Sequence, residues 1–173
     1  YWDLKRSKVS NEELLITTNS QKIIRKFNKL WIEKIETKNY QKFDQLQRGI
    51  IDVLNRCAEK HELVIVTLRR NRKRLLAQLK DLGIIHYFMD ILSSGTDIQP
   101  GWQIKYNLIT DYLNGKSKDK HLIIGDTEAD ILAGNKLGFI SIGVLCGIRD
   151  KQLIEANPNK LFNHSSDLLE LLS

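Results

Sequence analysis

The stretch that decides the fold is residues 123–130, with the sequence IIGDTEAD. The pattern predicts an apolar strand that ends at Gly125, which places Asp126 at the carboxyl end of the strand, where ligands collect in open α/β sheets. Asp130 follows four residues later and is expected to project to the same side. Two carboxylates there suit Mg2+, which prefers hard oxygen ligands. Alternatively, they are helix N-terminal acids favoured by the helix dipole, although this explains one acid and not both beside Gly125.

The same alternation of strand and helix extends in both directions from this stretch. Short apolar runs predict buried parallel strands, and apolar residues at helical spacing predict amphipathic helices between them. The predicted strands are 63–66, 88–92, 121–124 and 140–145. The predicted helices of this part are 71–82, 102–113, 128–137, 151–156 and 166–172. Strands that alternate with helices indicate a doubly wound α/β sheet.

The first third of the chain is helical in pattern. Apolar residues recur at helical spacing from Ser20 to Lys38 and again from about Phe43 to Lys60. We therefore place the boundary between an all-α piece and the α/β part near Tyr40 to Phe43. This divides the chain into residues 1–42 and residues 43–173.

Two further residues in this frame suit phosphate chemistry. Thr67 directly follows the strand at 63–66, where a hydroxyl can hydrogen-bond a phosphoryl oxygen, although a Thr in this place is more often a cap. Lys105 lies at the head of an amphipathic helix and could neutralise a phosphoryl group and a carboxylate nucleophile. Most surface lysines merely solvate a helix, so each signal is weak when taken alone.

A basic cluster directly follows Thr67. It consists of Arg69, Arg70, Arg72, Lys73 and Arg74. The functional interpretation is that Arg69 or Arg70 binds a second anionic group on the substrate. For residues 72–74 we favour the alternative, which is a helix face that points to water.

The composition limits the class of protein. The chain has 173 residues, enough for one compact domain or a core with a small appendage, and its apolar and charged shares are those of a globular protein. Its apolar runs are too short to cross a membrane, and it shows no signal-peptide pattern. The two cysteines lack metal-ligand spacing, which favours reduced thiols in a cytoplasmic protein. The net charge of +6 suits an anionic partner but does not separate a small phosphorylated substrate from nucleic acid.

The order of these signals resembles that of a known family. Thr67 at a strand end, then Lys105, then Gly-Asp-x-x-x-Asp at 125–130 is similar to motifs II, III and IV of the haloacid dehalogenase (HAD) superfamily. The sequence from Asp126 to Val144 resembles the phosphoglycolate-phosphatase-like branch of that superfamily. The resemblance implies a three-layer Rossmann-like parallel sheet for residues 43–173. It also implies that residues 1–42 are part of a helical cap.

The resemblance further implies a Mg2+-dependent phosphohydrolase that acts on a small phosphomonoester through an aspartyl-phosphate intermediate. In that chemistry Thr67 would bind the transferring phosphoryl group. Lys105 would bridge the phosphoryl group and the nucleophile, although it lacks the Lys-Pro context of this branch, and Lys118 or Lys120 is a less well placed substitute. Asp126 would hold Mg2+, directly or through water, and Asp130 would support it.

The nucleophile of the family is absent from the sequence given. No Asp-x-Asp-x-Thr/Val motif follows a strand, and Asp3 is rejected because too few residues precede it to form a strand. The resemblance places this motif I on the central first strand, between the strands that carry Thr67 and Asp126. A parallel sheet without that strand would have two unpaired inner edges and a split core. We therefore expect a segment upstream of Tyr1 to supply it.

Two other functions stay open at this point. A catalytically inactive HAD-like module would bind a ligand or a partner without turnover, which would leave Thr67, Lys105 and the two acids without a purpose. A nucleic-acid end-processing phosphatase would use the basic cluster. No pattern of interleaved aromatic and basic residues supports nucleic-acid binding, so this function ranks last. The sequence predicts neither the substrate nor the oligomeric state.

Overall fold

The computed structural model describes residues 21–94, 99–114, 120–147 and 149–172. Its strands form two sheets in which all three pairings are parallel. The first sheet consists of β1 (Leu63–Thr67) and β2 (Phe88–Ser93). The second has the order β3-β4-β5 and consists of β3 (Leu122–Gly125), β4 (Ile140–Val144) and β5 (Lys160–Phe162). The predicted α/β class is confirmed.

Helices precede, connect and follow the strands. The helices that precede β1 are α1 (Gln21–Ile35), α2 (Lys38–Gln41) and α3 (Ile50–Ala58). Those that follow it are α4 (Arg72–Asp81), α5 (Gly101–Leu113), α6 (Glu128–Leu137) and α7 (Asp150–Glu155), with short 3-10 helices at Ile85–Tyr87 and Ser165–Leu171. No helix in the described ranges is both long and apolar enough to cross a membrane. Since α4 and α6 each connect two parallel strands, the carboxyl ends of each strand pair lie at the same edge of their sheet.

Four of the five described strands have an open edge, because only β4 pairs on both sides. Among the described strands, β1 pairs only with β2, and β3 pairs at one edge only, with β4. Every residue of β1 is only partly buried, and Leu122 and Ile124 of β3 are 51% and 43% exposed. Inner strands of a doubly wound sheet are normally buried on both faces. The arrangement fits a sheet that lacks its central first strand, as the sequence predicts.

The hydrophobic core is divided in the same way. One cluster packs around the first sheet and includes Leu54, Leu75 and Ile91, whereas the other packs against β4 and includes Val53 and Ile142. Val53 and Leu54 are neighbours on α3 and point in different directions, so this one helix contributes to both clusters. In addition, α5 contacts β1, β2 and α6. The two sheets are therefore joined through α3 and, by way of α6, through α5.

The helix predicted from Phe43 to Lys60 is wrong in its first half, because α3 begins only at Ile50. Gly49 has a φ of 76°, in the left-handed region that ends regular helix and favours glycine. Upstream of it, the Asp44 carboxylate accepts hydrogen bonds from side chains of the basic cluster and of α4. These tertiary contacts hold residues 44–47 outside any helix.

The other elements follow the prediction more closely. Each of the four predicted strands begins and ends within one residue of the observed bounds. The helix predicted at 166–172 is instead a 3-10 helix at Ser165–Leu171. The strand β5 was not predicted, because three residues are too few to show a period.

The packing of α6 against the second sheet provides a test of the core. Ile131 of α6 is fully buried, so Ile131→Ala should lower the free energy of unfolding by about 2–4 kcal/mol. The next residue, Leu132, is 39% exposed, so Leu132→Ala should cost about 1 kcal/mol or less. Urea unfolding of the two variants measures both changes, and equal losses would contradict the described orientation of α6.

Candidate active site

The carboxyl end of β3 carries the acidic motif. β3 ends at Gly125, and α6 begins at Glu128 after a turn through Asp126 and Thr127. A Cβ atom at Gly125 would overlap the carboxylate of Asp130. Glycine is therefore required here because the side chain of Asp130 lies directly against the strand end.

The carboxylate of Asp130 is buried, and both of its oxygens accept hydrogen bonds. Lys105 Nζ donates to Oδ1, and the hydroxyl of Thr127 donates to Oδ2 over 2.7 Å. Lys105, from the first half of α5, is only 8% exposed, and Asp130 is 6% exposed. The structure thus brings together two of the residues that the sequence singles out, although α5 and α6 are separate elements.

Thr127 is part of this site and is missed by sequence reasoning. It occupies the N-cap position of α6, yet its side chain makes no bond to the helix backbone and binds the Asp130 carboxylate instead. A hydroxyl residue three positions before an acid is a recognised helix-start pattern. That spacing is the signal that could have identified Thr127.

The buried ion pair between Lys105 and Asp130 adds little net stability to the fold. The loss of hydration on burial offsets most of the attraction between two such charges, so the net stabilisation is small. Removing one partner is costly, because the other charge is then left uncompensated in a medium of low polarity. The pair therefore fixes a cation and an anion at the strand end.

Asp126 lies in a less balanced electrostatic environment. Burial raises the pKa of Asp126, and the nearby Asp130 carboxylate raises it further. Its own backbone N–H, Lys105 and Arg149 act in the opposite direction without cancelling the rise. A raised pKa means that folding penalises the ionised form. A bound cation would offset that penalty.

The donor atoms at this strand end fit Mg2+. Asp126 offers hard carboxylate oxygens, whereas both oxygens of Asp130 are already engaged by Lys105 and Thr127. Mg2+ retains several waters and commonly needs only one or two protein carboxylates. In the ranges that the structure describes, no three His, Cys, Asp or Glu side chains gather into a metal-binding group. The arrangement fits a cation held through Asp126 and water, with Asp130 in support.

A second ion pair lies beside this acid. Arg149 Nη1 is 2.9 Å from Glu128 Oε1, and the Glu128 side chain is 15% exposed. Arg149 also lowers the pKa of Asp126, so its charge reaches the strand end. The sequence analysis predicts no role for Arg149.

An open cavity of about 310 Å3 lies against β3 beside Asp126. Ile124, Val144 and Leu168 form much of its apolar wall. Ser165 also lines it, and the Ser165 hydroxyl is buried without a hydrogen-bond partner in the described part of the chain. The cavity therefore borders β3 and reaches the carboxylate of Asp126.

Thr67 is the last residue of β1, in the other sheet. The head of α5 lies close to both strand ends, since a Cβ atom at Gly101 would be 2.8 Å from Leu68 and 3.6 Å from Ala129. Leu68 follows Thr67, and Ala129 precedes Asp130. The carboxyl ends of β1 and β3 therefore approach each other at the start of α5.

Arg69 and Arg70 follow Thr67 as predicted but make contacts within the chain. The N–H of Arg69 donates to the Thr67 hydroxyl oxygen over 3.3 Å, and the Arg69 guanidinium lies 3.4 Å from Asp44. The N–H of Arg70 donates to Glu36 over 2.8 Å. The structure thus places both residues next to Thr67, and it directs the Arg69 side chain to Asp44.

The remaining members of the basic cluster, residues 72–74, are exposed, as predicted. Two of them nevertheless have protein partners. Arg72 donates to the carbonyl of Ile91 and lies 3.8 Å from Asp90, and Arg74 lies 3.5 Å from the carbonyl of Glu36. Within the cluster, Arg69 and Arg72 therefore each lie near a carboxylate of the chain.

Comparison with known proteins identifies one matching family. A model of the haloacid dehalogenase-like hydrolase family matches residues 4–144. No curated protein matches the chain.

Several solved structures share the fold. A haloacid dehalogenase-like hydrolase from Streptococcus pneumoniae has a TM-score of 0.78 at 22% identity and covers 99% of this chain and 81% of its own. A predicted phosphoglycolate phosphatase from Haemophilus somnus has a TM-score of 0.63 at 22% identity, with coverage of 87% and 65%. A HAD hydrolase from Bacillus subtilis, described as bound to magnesium, has a TM-score of 0.65 at 22% identity, with coverage of 96% and 72%. At 22% identity, this structural similarity shows that the chain shares the fold of these proteins.

The ion pair between Lys105 and Asp130 can be tested by a double-mutant cycle. Lys105→Met should lower the free energy of unfolding by about 3–5 kcal/mol, because it leaves a buried carboxylate unpaired. Adding Asp130→Asn to the same chain should restore most of this loss, since the uncompensated charge is then removed. Denaturant unfolding measures each variant, and a double variant no more stable than the single one would refute the pairing.

The raised pKa of Asp126 predicts a pH-dependent gain in stability on neutralisation. In EDTA at pH 7, Asp126→Asn should raise the free energy of unfolding, because the ionised form is penalised in the folded state. As the pH falls through the raised pKa, the wild-type carboxyl is protonated and the difference should shrink. The exposed Asp111 is a matched control, with an expected change within about 0.5 kcal/mol for Asp111→Asn. A pH-independent difference for Asp126→Asn would contradict the assignment.

Proposed function

The chain belongs to the haloacid dehalogenase-like hydrolase family, and from this membership we propose that it contributes the phosphate- and metal-binding residues of a Mg2+-dependent phosphohydrolase acting on small phosphomonoesters. The observation that carries the proposal is the buried ion pair of Lys105 and Asp130 beside Asp126 at the end of β3. A buried lysine and two carboxylates at such a strand end suit a doubly charged phosphoryl group with its metal ion. Both cysteines are free thiols, which supports the proposed cytoplasmic location.

Asp126 is the proposed metal ligand, directly or through water, and Asp130 is its supporting acid. A bound Mg2+ would neutralise charge on the phosphoryl oxygens. The raised pKa of Asp126 supports this role, because a cation would favour its ionised form. Thr127 would keep the Asp130 carboxylate oriented through the bond of its hydroxyl to Oδ2.

Lys105 and Thr67 are the proposed phosphoryl-binding residues. Lys105 would bridge the phosphoryl group and the nucleophile, and its bond to Asp130 limits the positions of its ammonium group. The Thr67 oxygen accepts from the N–H of Arg69. Its own proton is therefore available for donation to a phosphoryl oxygen. Arg69 or Arg70 would contact a second anionic group of the substrate.

The nucleophile is proposed to be an Asp on a strand between β1 and β3, supplied by a segment that precedes Tyr1. The open edges of both strands support this placement. Its carboxylate oxygen would attack phosphorus while the bond to the ester oxygen breaks and a second Asp protonates the leaving alcohol. Water would then attack the aspartyl-phosphate, releasing phosphate and regenerating the carboxylate.

Residues 1–42 are proposed to be part of a helical cap over this site. Within this range the structure describes α1 and α2, which precede the connecting segment 43–49. The alternative function is an inactive binding module, which would bind phosphate without hydrolysing a substrate. The phosphohydrolase and the binding module therefore differ in whether the protein hydrolyses a phosphomonoester.

The test uses the full chain, including any segment before Tyr1, with p-nitrophenyl phosphate as substrate. We expect hydrolysis that requires Mg2+ and is lost in EDTA. Asp126→Asn and Thr67→Val should each lower kcat/KM by about 100-fold, because each removes a group that stabilises the transferring phosphoryl group. The exposed Asp111→Asn should leave the rate unchanged. Phosphate binding without any turnover would refute the phosphatase and establish the binding module.

A further inference from the structure

Glu36 connects the helical segment to the loop that follows Thr67. It lies in the turn between α1 and α2 and is half-buried. One carboxylate oxygen accepts from the N–H of Arg70, and the other accepts from the N–H of Asn71, each over 2.8 Å. Hydrogen bonds from N–H groups to an ionised carboxylate are stronger than bonds between neutral groups. Glu36 thereby restrains the backbone at both positions.

The loop that Glu36 holds is the same loop that contacts Thr67. The N–H of Arg69 donates to the Thr67 hydroxyl oxygen, while the next two N–H groups donate to Glu36. Three successive backbone donors are thus divided between the end of β1 and the helical segment. A change in the position of Glu36 would move the N–H groups of Arg70 and Asn71. The N–H group that contacts Thr67 belongs to the residue just before them, so it would move as well.

A second acid joins the connecting segment to the same region. Asp44 accepts from the guanidinium of Arg69 at 3.4 Å and from the side-chain amide of Gln78. The guanidinium of Arg74 lies 3.5 Å from the carbonyl of Glu36. The basic cluster after β1 therefore binds two acidic residues of residues 36–44.

We propose that Glu36 is a positioning residue for the phosphate site: it fixes the loop 69–71, and through the N–H of Arg69 it sets the orientation of the Thr67 hydroxyl. This role rests on the proposed function, because it matters to activity only if Thr67 binds the phosphoryl group. Glu36 itself need not touch the substrate. Its effect is transmitted by the backbone of the loop.

The carboxylate is essential to this role because two adjacent N–H groups need two acceptors. A carboxylate provides two equivalent oxygens, whereas a Gln amide provides one oxygen and one NH2 donor. In Glu36→Gln, one of the two loop N–H groups would therefore face a donor. Asp in place of Glu keeps both acceptors on a shorter side chain and serves as the conservative replacement.

The experiment compares Glu36→Gln with Glu36→Asp in the full chain. The matched control is Glu33→Gln, which removes the same charge from an exposed residue of α1. The first measurement is amide hydrogen exchange at residues 70 and 71. We expect exchange of at least one of these amides to be about tenfold faster in Glu36→Gln, with partial recovery in Glu36→Asp and no change in the control.

The second measurement is the dissociation constant of inorganic phosphate, with Mg2+ present. Glu36→Gln should weaken phosphate binding by about fivefold, which corresponds to the loss of one well-oriented hydrogen bond, while the midpoint of the Mg2+ titration is unchanged. Unaltered phosphate binding in Glu36→Gln would overturn the positioning role and leave the proposed function intact. Tighter binding would also overturn it, because it would show that the carboxylate competes with phosphate.

The two proposals fail in different ways. If the unmodified full chain binds no phosphate, the proposed function fails, and the role of Glu36 at a phosphate site fails with it. If phosphate binds and the exchange of residues 70 and 71 is the same in Glu36→Gln as in the wild type, only the Glu36 proposal fails. Urea unfolding of each variant establishes that the comparison is made on folded protein.

Discussion

The hydrogen-bonding demand of an inner parallel strand is the constraint on which this structure depends. Backbone N–H and C=O groups along a strand must be paired or hydrated, and an inner strand pairs on both edges. Among the described strands, only β4 is paired on both edges, so β1 and β3 each have an open edge. The contacts that join the two sheets come instead from helices, since α3 enters both hydrophobic clusters and α5 reaches both strand ends. The proposed site lies at this opening, with Thr67 on one side and Asp126 on the other.

The ionisable groups at the opening differ in how well the chain balances their charges. Asp130 is balanced by Lys105 and oriented by Thr127, whereas folding penalises the ionised form of Asp126. When these groups are ionised, the two acids exceed the one lysine by a single negative charge. That excess suits a divalent cation, which in turn offers positive charge to a phosphoryl group. The ion pair of Lys105 and Asp130 adds little to stability, but it keeps a cation and an anion in fixed positions.

The basic cluster shows why net charge is a poor guide to a partner. An excess of positive residues after β1 suits an anionic substrate or nucleic acid when only the sequence is considered. In the folded chain, Arg69 meets Asp44 and Arg72 meets Asp90, while the backbone next to Arg69 holds Glu36. The cluster therefore joins parts of the chain to one another. The loop that carries Arg69 and Arg70 also lies directly beside Thr67.

The sequence alone determined the class of fold, the four longer strands, and the placement of Asp126 and Asp130 at one strand end. The strands follow from local periodicity, which acts over a few residues, and the position of the two acids follows from the motif at the end of one strand. Only the tertiary structure decided the late start of α3, the bond of Thr127 to Asp130 and the contact of Glu36 with the loop after Thr67. Glu36 and Arg70 are 34 positions apart, and Arg69 and Asp44 are 25 apart. Such contacts depend on how whole elements pack, and no local pattern encodes which acid reaches which donor.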